Sequence, residues 1–284
     1  MPRIVLTTFG SLGDLHPYLA LGRELRQRGH AVVLASHDIY RSRAETAGLE
    51  FAPIHPDFFS FGDPFEVMRR AMDDTRGSEV VLRELVVPYL RSMRDDLLAA
   101  SQGADLIVDH MLTLTSPLVA ETLRIPRVST TLQPMATFTS YDPGIMPGAP
   151  IMTFMSRFGA WPWQLFWALG RLATRRWFKE IDVMRAEMKL PASRRHPMLQ
   201  SASDTLHLML FSRELMAPQR DWPRAALQTG FPVHDRGEHG EGLPPALERW
   251  LGAGTPPLVF TLGSSAVFTA GRFYDDAAQA ARTL

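Results

Sequence analysis

The sequence predicts an α/β protein, a parallel sheet with helices on both of its faces. Three observations predict it. Short runs rich in Val, Ile and Leu recur along the chain and are bounded by Gly, Pro, Asp or Ser, as in strands buried on both faces. Segments with helical apolar spacing lie between them, and such alternation of strand and helix favours parallel connections. The 284 residues, 45% of them hydrophobic, suffice to bury one large core or two modest ones.

Taken in order, residues 4–8 form a β-branched first strand that runs into the loop Phe9-Gly10-Ser11-Leu12-Gly13-Asp14. Residues 17–28 read as a helix with Tyr18, Leu21 and Leu25 on one face, Pro17 in its first turn and Gly29 at its end. A second strand follows at 31–35. Ser36 caps a helix over 39–47, Gly48 stops it, and 50–54 is a third strand. Residues 65–100 read as two helices broken near Gly77, and 104–109 as a buried strand ending in a carboxylate. Ser116-Pro117 opens the next helix, and 125–131 is a further strand. Residues 132–150 form a Pro/Gly-rich loop of the kind that carries function, and 161–189 read as one strongly aromatic helical stretch. Strands at 206–211 and 227–231 close a first domain, and the polar, Gly-rich 234–242 reads as a linker. Beyond it come a short helix at 245–251, a buried strand at 257–262, a tight loop Gly263-Ser264-Ser265 and an amphipathic helix at 271–284. One strand and one helix cannot bury their own apolar faces, so a longer natural protein is expected.

Composition excludes several function classes. Thirty basic residues balance thirty acidic ones, so no net field draws the molecule to nucleic acid. The absence of cysteine removes disulfides, thiol catalysis and cysteine-ligated metals, and fits a reducing compartment such as the cytoplasm. No apolar run reaches the roughly 18–20 residues of a membrane span, because Arg157, Pro162 and Gln164 interrupt the nearest one. The loop at Gly10 lacks the G-x-G-x-x-G spacing of a dinucleotide fingerprint.

The segment Gly10-Ser11-Leu12-Gly13-Asp14-Leu15-His16-Pro17, with Ala20-Leu21-Gly22 and Arg28-Gly29-His30, resembles the N-terminal signature of GT-B glycosyltransferases of the family 28 and UDP-glycosyltransferase type. Two further segments match in order. They are Pro218-Gln219-Arg220-Asp221-Trp222-Pro223 leading to Thr229-Gly230-Phe231, and 243–251 leading to 257–264. The resemblance spans nearly the whole chain and is greatest to rhamnosyltransferases of the rhamnolipid type and to sterol and macrolide glycosyltransferases. It implies a Rossmann-like acceptor-binding domain over 1–233, a linker with a short helix over 234–256, and at 257–284 the start of an incomplete second, donor-binding Rossmann-like domain. It also implies inverting, metal-independent transfer of a sugar from a nucleotide donor such as UDP-glucose or dTDP-rhamnose to a lipophilic hydroxyl. No separate cofactor is expected, nor a metal, and the fragment alone should be inactive. A non-catalytic GT-B-like binding or accessory subunit is the alternative, since fold does not dictate chemistry.

An inverting transfer needs a base for the acceptor hydroxyl, and Asp14 falls where the family places an aspartate or histidine base. From position alone Asp14 reads first as a cap for the helix that follows it. Asp109, at the end of another strand on the same sheet edge, is expected to face Asp14 and raise its basicity. The alternative for Asp109 is a solvated strand-end acid. His16 and His110 are adjacent candidates, as alternative bases or acceptor contacts, although a lone histidine more often packs or lies at the surface. The resemblance assigns donor-phosphate contacts to Ser11, Gly13, Gly263, Ser264 and Ser265, against an ordinary βα turn. The aromatic stretch reads mostly as core, yet in similar enzymes it walls a greasy acceptor pocket, here with Met135, Phe138, Met152 and Trp163. Arg171, Arg175 and Arg176 leave open a peripheral contact with the inner membrane surface.

Overall fold

A computed structural model describes residues 1–145, 149–234 and 243–283; of the linker expected over 234–256, residues 235–242 lie outside the described residues. The apolar runs pair into one seven-stranded, all-parallel sheet in the order β3-β2-β1-β4-β5-β6-β7. Its strands are β1 Arg3–Thr7, β2 Ala31–Ser36, β3 Glu50–Pro53, β4 Leu106–His110, β5 Arg127–Thr131, β6 Leu206–Met209 and β7 Ala226–Gln228. The helices are α1 Leu12–Gln27, α2 Arg41–Thr46, α3 Pro64–Ala71, α4 Gly77–Val80, α5 Leu90–Ala100, α6 Ser116–Leu123, α7 Pro150–Met155, α8 Trp161–Thr174, α9 Lys179–Glu187, α10 Pro245–Gly252 and α11 Phe273–Thr283. A wide turn at Val81–Val86 and a tight one at Val87–Tyr89 carry α4 into α5.

The central strands β1, β2, β4 and β5 bury every position but their first because helices cover both faces. On one face, Tyr18, Leu15 and Leu19 of α1 pack on Leu6, Leu34 and Val108. Leu97 of α5 and Val119 of α6 close on Val5, Val33 and Ile107. Burial without alternation is what a doubly covered parallel sheet requires.

Several local expectations are corrected. Helix α1 starts at Leu12 rather than 17, with Pro17 inside it, because Ser11 supplies the cap. Ser36 caps no helix; it ends β2 and its hydroxyl donates to the Thr8 carbonyl at 3.0 Å. The single helical stretch expected over 161–189 is interrupted by a tight turn at Arg175–Phe178. The strand expected at 257–262 does not form. No described strand lies beside it, and Leu258 and Val259 are exposed where a buried strand was expected. A strand exists only through its ladder, so apolar content alone did not create one.

Candidate active site

The sheet reverses its order of growth at β1. The chain adds β2 and β3 on one side, then returns to place β4 on the other, in register Thr7↔Asp109. In open parallel sheets the crevice for ligands opens beside such a reversal, outside the carboxyl ends of the strands. The loop after β1 and the last residue of β4 meet there.

Asp14 is the third residue of α1 and closes a capping box. Its Oδ2 accepts from the Ser11 backbone N–H at 2.7 Å and from the Ser11 hydroxyl at 3.2 Å, while Ser11 Oγ accepts from the Gly13 N–H at 3.3 Å. The cap is therefore Ser11, and Asp14 is its reciprocal partner. Gly10 permits this arrangement: its φ is +136°, and a Cβ there would lie 2.2 Å from Asp14 Oδ2. Tyr40 Oη donates to the Gly10 carbonyl at 2.9 Å, and Thr8 Oγ1 to the Asp14 carbonyl at 3.0 Å, tying the loop from two sides. Burial, then the charge of Asp14, pushes the Tyr40 phenol up to about 12, so it stays a neutral donor.

The capping box occupies one carboxylate oxygen and leaves the other. Asp14 Oδ1 lies 3.6 Å from Nε2 of His110, and the Asp14 side chain is partly exposed while His110 is buried. Burial lowers the pKa of His110 and the charge of Asp14 opposes that shift. His110 Nδ1 accepts from the Leu112 N–H at 3.4 Å, so the proton of the neutral ring sits on Nε2, toward Asp14. The His110 ring stands edge-on to Tyr18 at 6.4 Å, and Tyr18 bonds Thr130 Oγ1 at 2.6 Å. Asp14 thus combines an anchored oxygen, an unbonded one and a buried imidazole that orients it.

Asp109 does not join this pair. Successive strand residues point to opposite faces, so His110 reaches Asp14 and Asp109 turns away. Its carboxylate accepts from Arg127 Nη1 at 3.0 and 2.8 Å, and Arg127 Nη2 donates to the Ser201 carbonyl. Burial raises the Asp109 carboxyl to about 6 despite the guanidinium beside it. Its visible role is to anchor β5 and the chain after α9.

His16 lies two residues beyond Asp14 on α1, its ring 5.3 Å from that of His234. Ser11 and the Gly13 amide, expected to meet phosphate, are both engaged within the cap. Gly263, Ser264 and Ser265 form an open loop, and a Cβ at Gly263 would meet nothing within 4 Å. A cavity of about 480 Å³ opens beyond β5 and β6, lined by Thr131, Phe138, Trp167, Arg171, His207 and Asp221 among others. Of the predicted acceptor residues, Phe138 lines it, its ring 5.3 Å from Trp167. Met135 and Met152 do not line it, nor do His16 and His110. Met135 is exposed, and Trp163 is a core residue whose Nε1 donates to Ser156 Oγ at 2.8 Å. Asp221, part of a matched motif but not singled out as a site residue, accepts from Thr139 Oγ1 and the Ser140 N–H in the cavity wall. Among the described residues, no group of three or more His, Asp or Glu is placed to hold a metal ion.

Comparison with known proteins agrees with this architecture. Residues 4–135 match the family described as the glycosyltransferase family 28 N-terminal domain. The chain is 32% identical over 273 residues to O-mycaminosyltylonolide 6-deoxyallosyltransferase of Streptomyces fradiae, covering 93% of this chain and 61% of that one. It is 28% identical over 251 residues to a sterol 3-beta-glucosyltransferase of Cryptococcus neoformans var. neoformans serotype D, covering 84% of this chain and 15% of that one. The chain thus spans less than two thirds of the length of these relatives. Among solved structures, the glycotransferase of kitacinnamycin superposes with a TM-score of 0.55 at 18% identity, over 87% of this chain and 56% of that one. The calicheamicin glycosyltransferase does so with a TM-score of 0.55 at 14% identity, over 81% and 53%. At such identities the likeness shows the fold, a GT-B Rossmann-like architecture.

Proposed function

We propose that this chain, whose residues 4–135 belong to the glycosyltransferase family 28 N-terminal domain family, is the acceptor-side part of an inverting glycosyltransferase. Residues 1–233 bind the acceptor, 234–256 link, and 257–284 begin the donor-binding domain. The donor is a nucleoside-diphosphate sugar and the acceptor a hydroxyl on a lipophilic molecule. The names of the curated relatives, a macrolide deoxyallosyltransferase and a sterol glucosyltransferase, support that acceptor class. Inversion and metal independence are what the family resemblance implies.

The observation that carries this reading is the divided carboxylate of Asp14: Oδ2 is held by the capping box, and Oδ1 is unbonded beside His110 at the carboxyl end of the sheet. In the proposed reaction Oδ1 takes the proton of the acceptor hydroxyl as the hydroxyl oxygen bonds to the anomeric carbon. The bond from that carbon to the diphosphate breaks, and the nucleoside diphosphate leaves with the electron pair. His110, with its Nε2 3.6 Å from Oδ1, faces the carboxylate and helps to hold it in line. The open loop Gly263-Ser264-Ser265, where no packing demands a glycine, leaves room for backbone amides to approach the diphosphate. The aromatic cavity beside β5 suits the lipophilic acceptor.

The test uses the full-length protein with a panel of nucleotide sugars and lipophilic alcohols. Asp14→Asn keeps the shape and an acceptor oxygen for the cap but removes the base, and transfer should fall by roughly 10²–10⁴-fold with stability nearly unchanged. Full activity in Asp14→Asn, or no transfer and no donor hydrolysis by the unaltered enzyme, overturns the reading. The second outcome would favour a binding subunit.

A further inference from the structure

Strand β5 carries consecutive hydroxyls at Ser129, Thr130 and Thr131, and alternation sends the first and third to one face while Thr130 turns to Tyr18 of α1. On that face His207 of β6 stands opposite Ser129 in register and bonds both hydroxyls. Its Nδ1 lies 2.5 Å from Ser129 Oγ and its Nε2 2.9 Å from Thr131 Oγ1. Ser129, Thr131 and His207 are 4%, 4% and 6% exposed, so none can turn a proton to bulk water except through a cavity. Thr131 and His207 line the aromatic cavity of about 480 Å³, whereas Ser129 does not.

Counting donors and acceptors places the protons. Burial, then Arg127, lowers the pKa of His207 to about 4, so near neutral pH one ring nitrogen donates and the other accepts. Ser129 Oγ accepts from the Ser203 N–H at 2.7 Å. If Nδ1 carried the proton, Ser129 Oγ would accept twice and its own hydrogen would be buried without an acceptor, which folded proteins rarely tolerate. The other arrangement satisfies the interior: Ser129 donates to Nδ1, and Nε2 donates to Thr131 Oγ1. The hydrogen left over is that of Thr131. Among the described residues Thr131 Oγ1 has no hydrogen-bond partner besides His207, and it belongs to the hydroxyl that reaches the cavity.

On the reading of this cavity as the acceptor site, we propose that Thr131 Oγ1 donates a hydrogen bond to the ligand, so that the acceptor is a lipophilic alcohol carrying a carbonyl oxygen apart from the hydroxyl that reacts. Met111, which follows His110 in the chain, lines the same cavity, so a ligand can extend from the Asp14–His110 pair toward Thr131. Phe138, Trp167 and Met209 supply apolar wall. In such surroundings a hydroxyl hydrogen left without an acceptor is costly, and the site therefore discriminates against the hydrocarbon analogue. The bonds from Ser129 through His207 fix the direction in which Thr131 donates.

Two measurements on the full-length protein test this, neither with a sugar present. The nitrogen NMR spectrum of histidine-labelled protein, with His207 assigned by His207→Gln, should show His207 protonated at Nε2 near neutral pH; protonation at Nδ1 overturns the proposal. Equilibrium dialysis then compares decanol with decanols carrying one ketone oxygen at successive chain positions. Thr131→Val keeps the shape and removes the hydroxyl, and should weaken binding of at least one keto alcohol by about tenfold and of decanol by less than about twofold. Thr131→Ser restores the hydroxyl and should bind the keto alcohols within about threefold of the unaltered protein. Equal losses for decanol and the keto alcohols in Thr131→Val, no rescue by Thr131→Ser, or no binding of any keto alcohol overturns the proposal. Keto-selective binding by a protein that transfers no sugar to the same alcohols would support the donor while faulting the proposed reaction, so the two readings fail separately.

Discussion

Gly10→Ala is the sharpest test of how the carboxylate of Asp14 is held. The new Cβ would lie 2.2 Å from Asp14 Oδ2 and 2.7 Å from its Cγ, on a backbone at φ +136° that side chains avoid. The chain must either expel the carboxylate or shift the loop. Expulsion loses the bonds from the Ser11 N–H and hydroxyl, at about 1 kcal/mol each, and the residue at positive φ adds about 1–3 kcal/mol of strain. The expected loss is therefore about 3–5 kcal/mol, read from the urea midpoint followed by circular dichroism with an unchanged slope. In an Asp14→Ala background the clash has no partner, so Gly10→Ala should there cost only the strain portion, and the difference is the coupling between the two positions. Transfer by the full-length Gly10→Ala enzyme should fall toward that of Asp14→Asn although the carboxylate is present. A stability change within about 0.5 kcal/mol, or equal losses in both backgrounds, would refute the account.

Two further outcomes follow from the buried charges. Arg127→Met leaves the Asp109 carboxylate buried without its cation and should destabilise by about 3–5 kcal/mol in denaturant titration, and adding Asp109→Leu should restore most of the loss. His207, buried between Ser129 Oγ and Thr131 Oγ1, has its pKa lowered from 6.5 to about 4, by burial first and then by Arg127. A depressed histidine binds protons more readily in the unfolded chain. Its stabilisation is thus complete above about pH 6.5 and lost as pH falls toward 4, by at most about 3 kcal/mol. Thermal melts between pH 7 and 5 should slope less in His207→Gln. Asp109, raised to about 6, acts in the opposite sense, its contribution shrinking as pH rises from about 4 to 6, so Asp109→Asn should steepen the acid loss.

The centre of the sheet was legible because β1, β2 and β4 are short apolar runs between turn formers, and burial on both faces removes ambiguity about which side must be apolar. The same property hid the site. With no alternation in β4, nothing in the sequence says whether residue 109 or 110 faces α1, and the carboxylate was the more conspicuous of the two. The spacing Ser11-x-x-Asp14 is itself a capping-box signature and could have revealed Ser11 as the cap three residues before the carboxylate. Tyr40 and Thr8, which tie the Gly10–Asp14 loop, carry no local signal because they act across the fold. The run at 257–262 was misread for the converse reason: its composition suits a strand, but a ladder needs a neighbour.

The reversal of strand order beside β1 makes the molecule modular. Asp14 and His110 come from the helix after β1 and the end of β4 at that seam, whereas the aromatic cavity, though it reaches Met111 and Thr131, is furnished mainly by segments after β5. On the proposed reading, exchange of those later segments among relatives would alter what is gripped without relocating the pair proposed to handle the proton. Chimaeras cut after β5 should therefore transplant selectivity while leaving the Asp14–His110 seam in place.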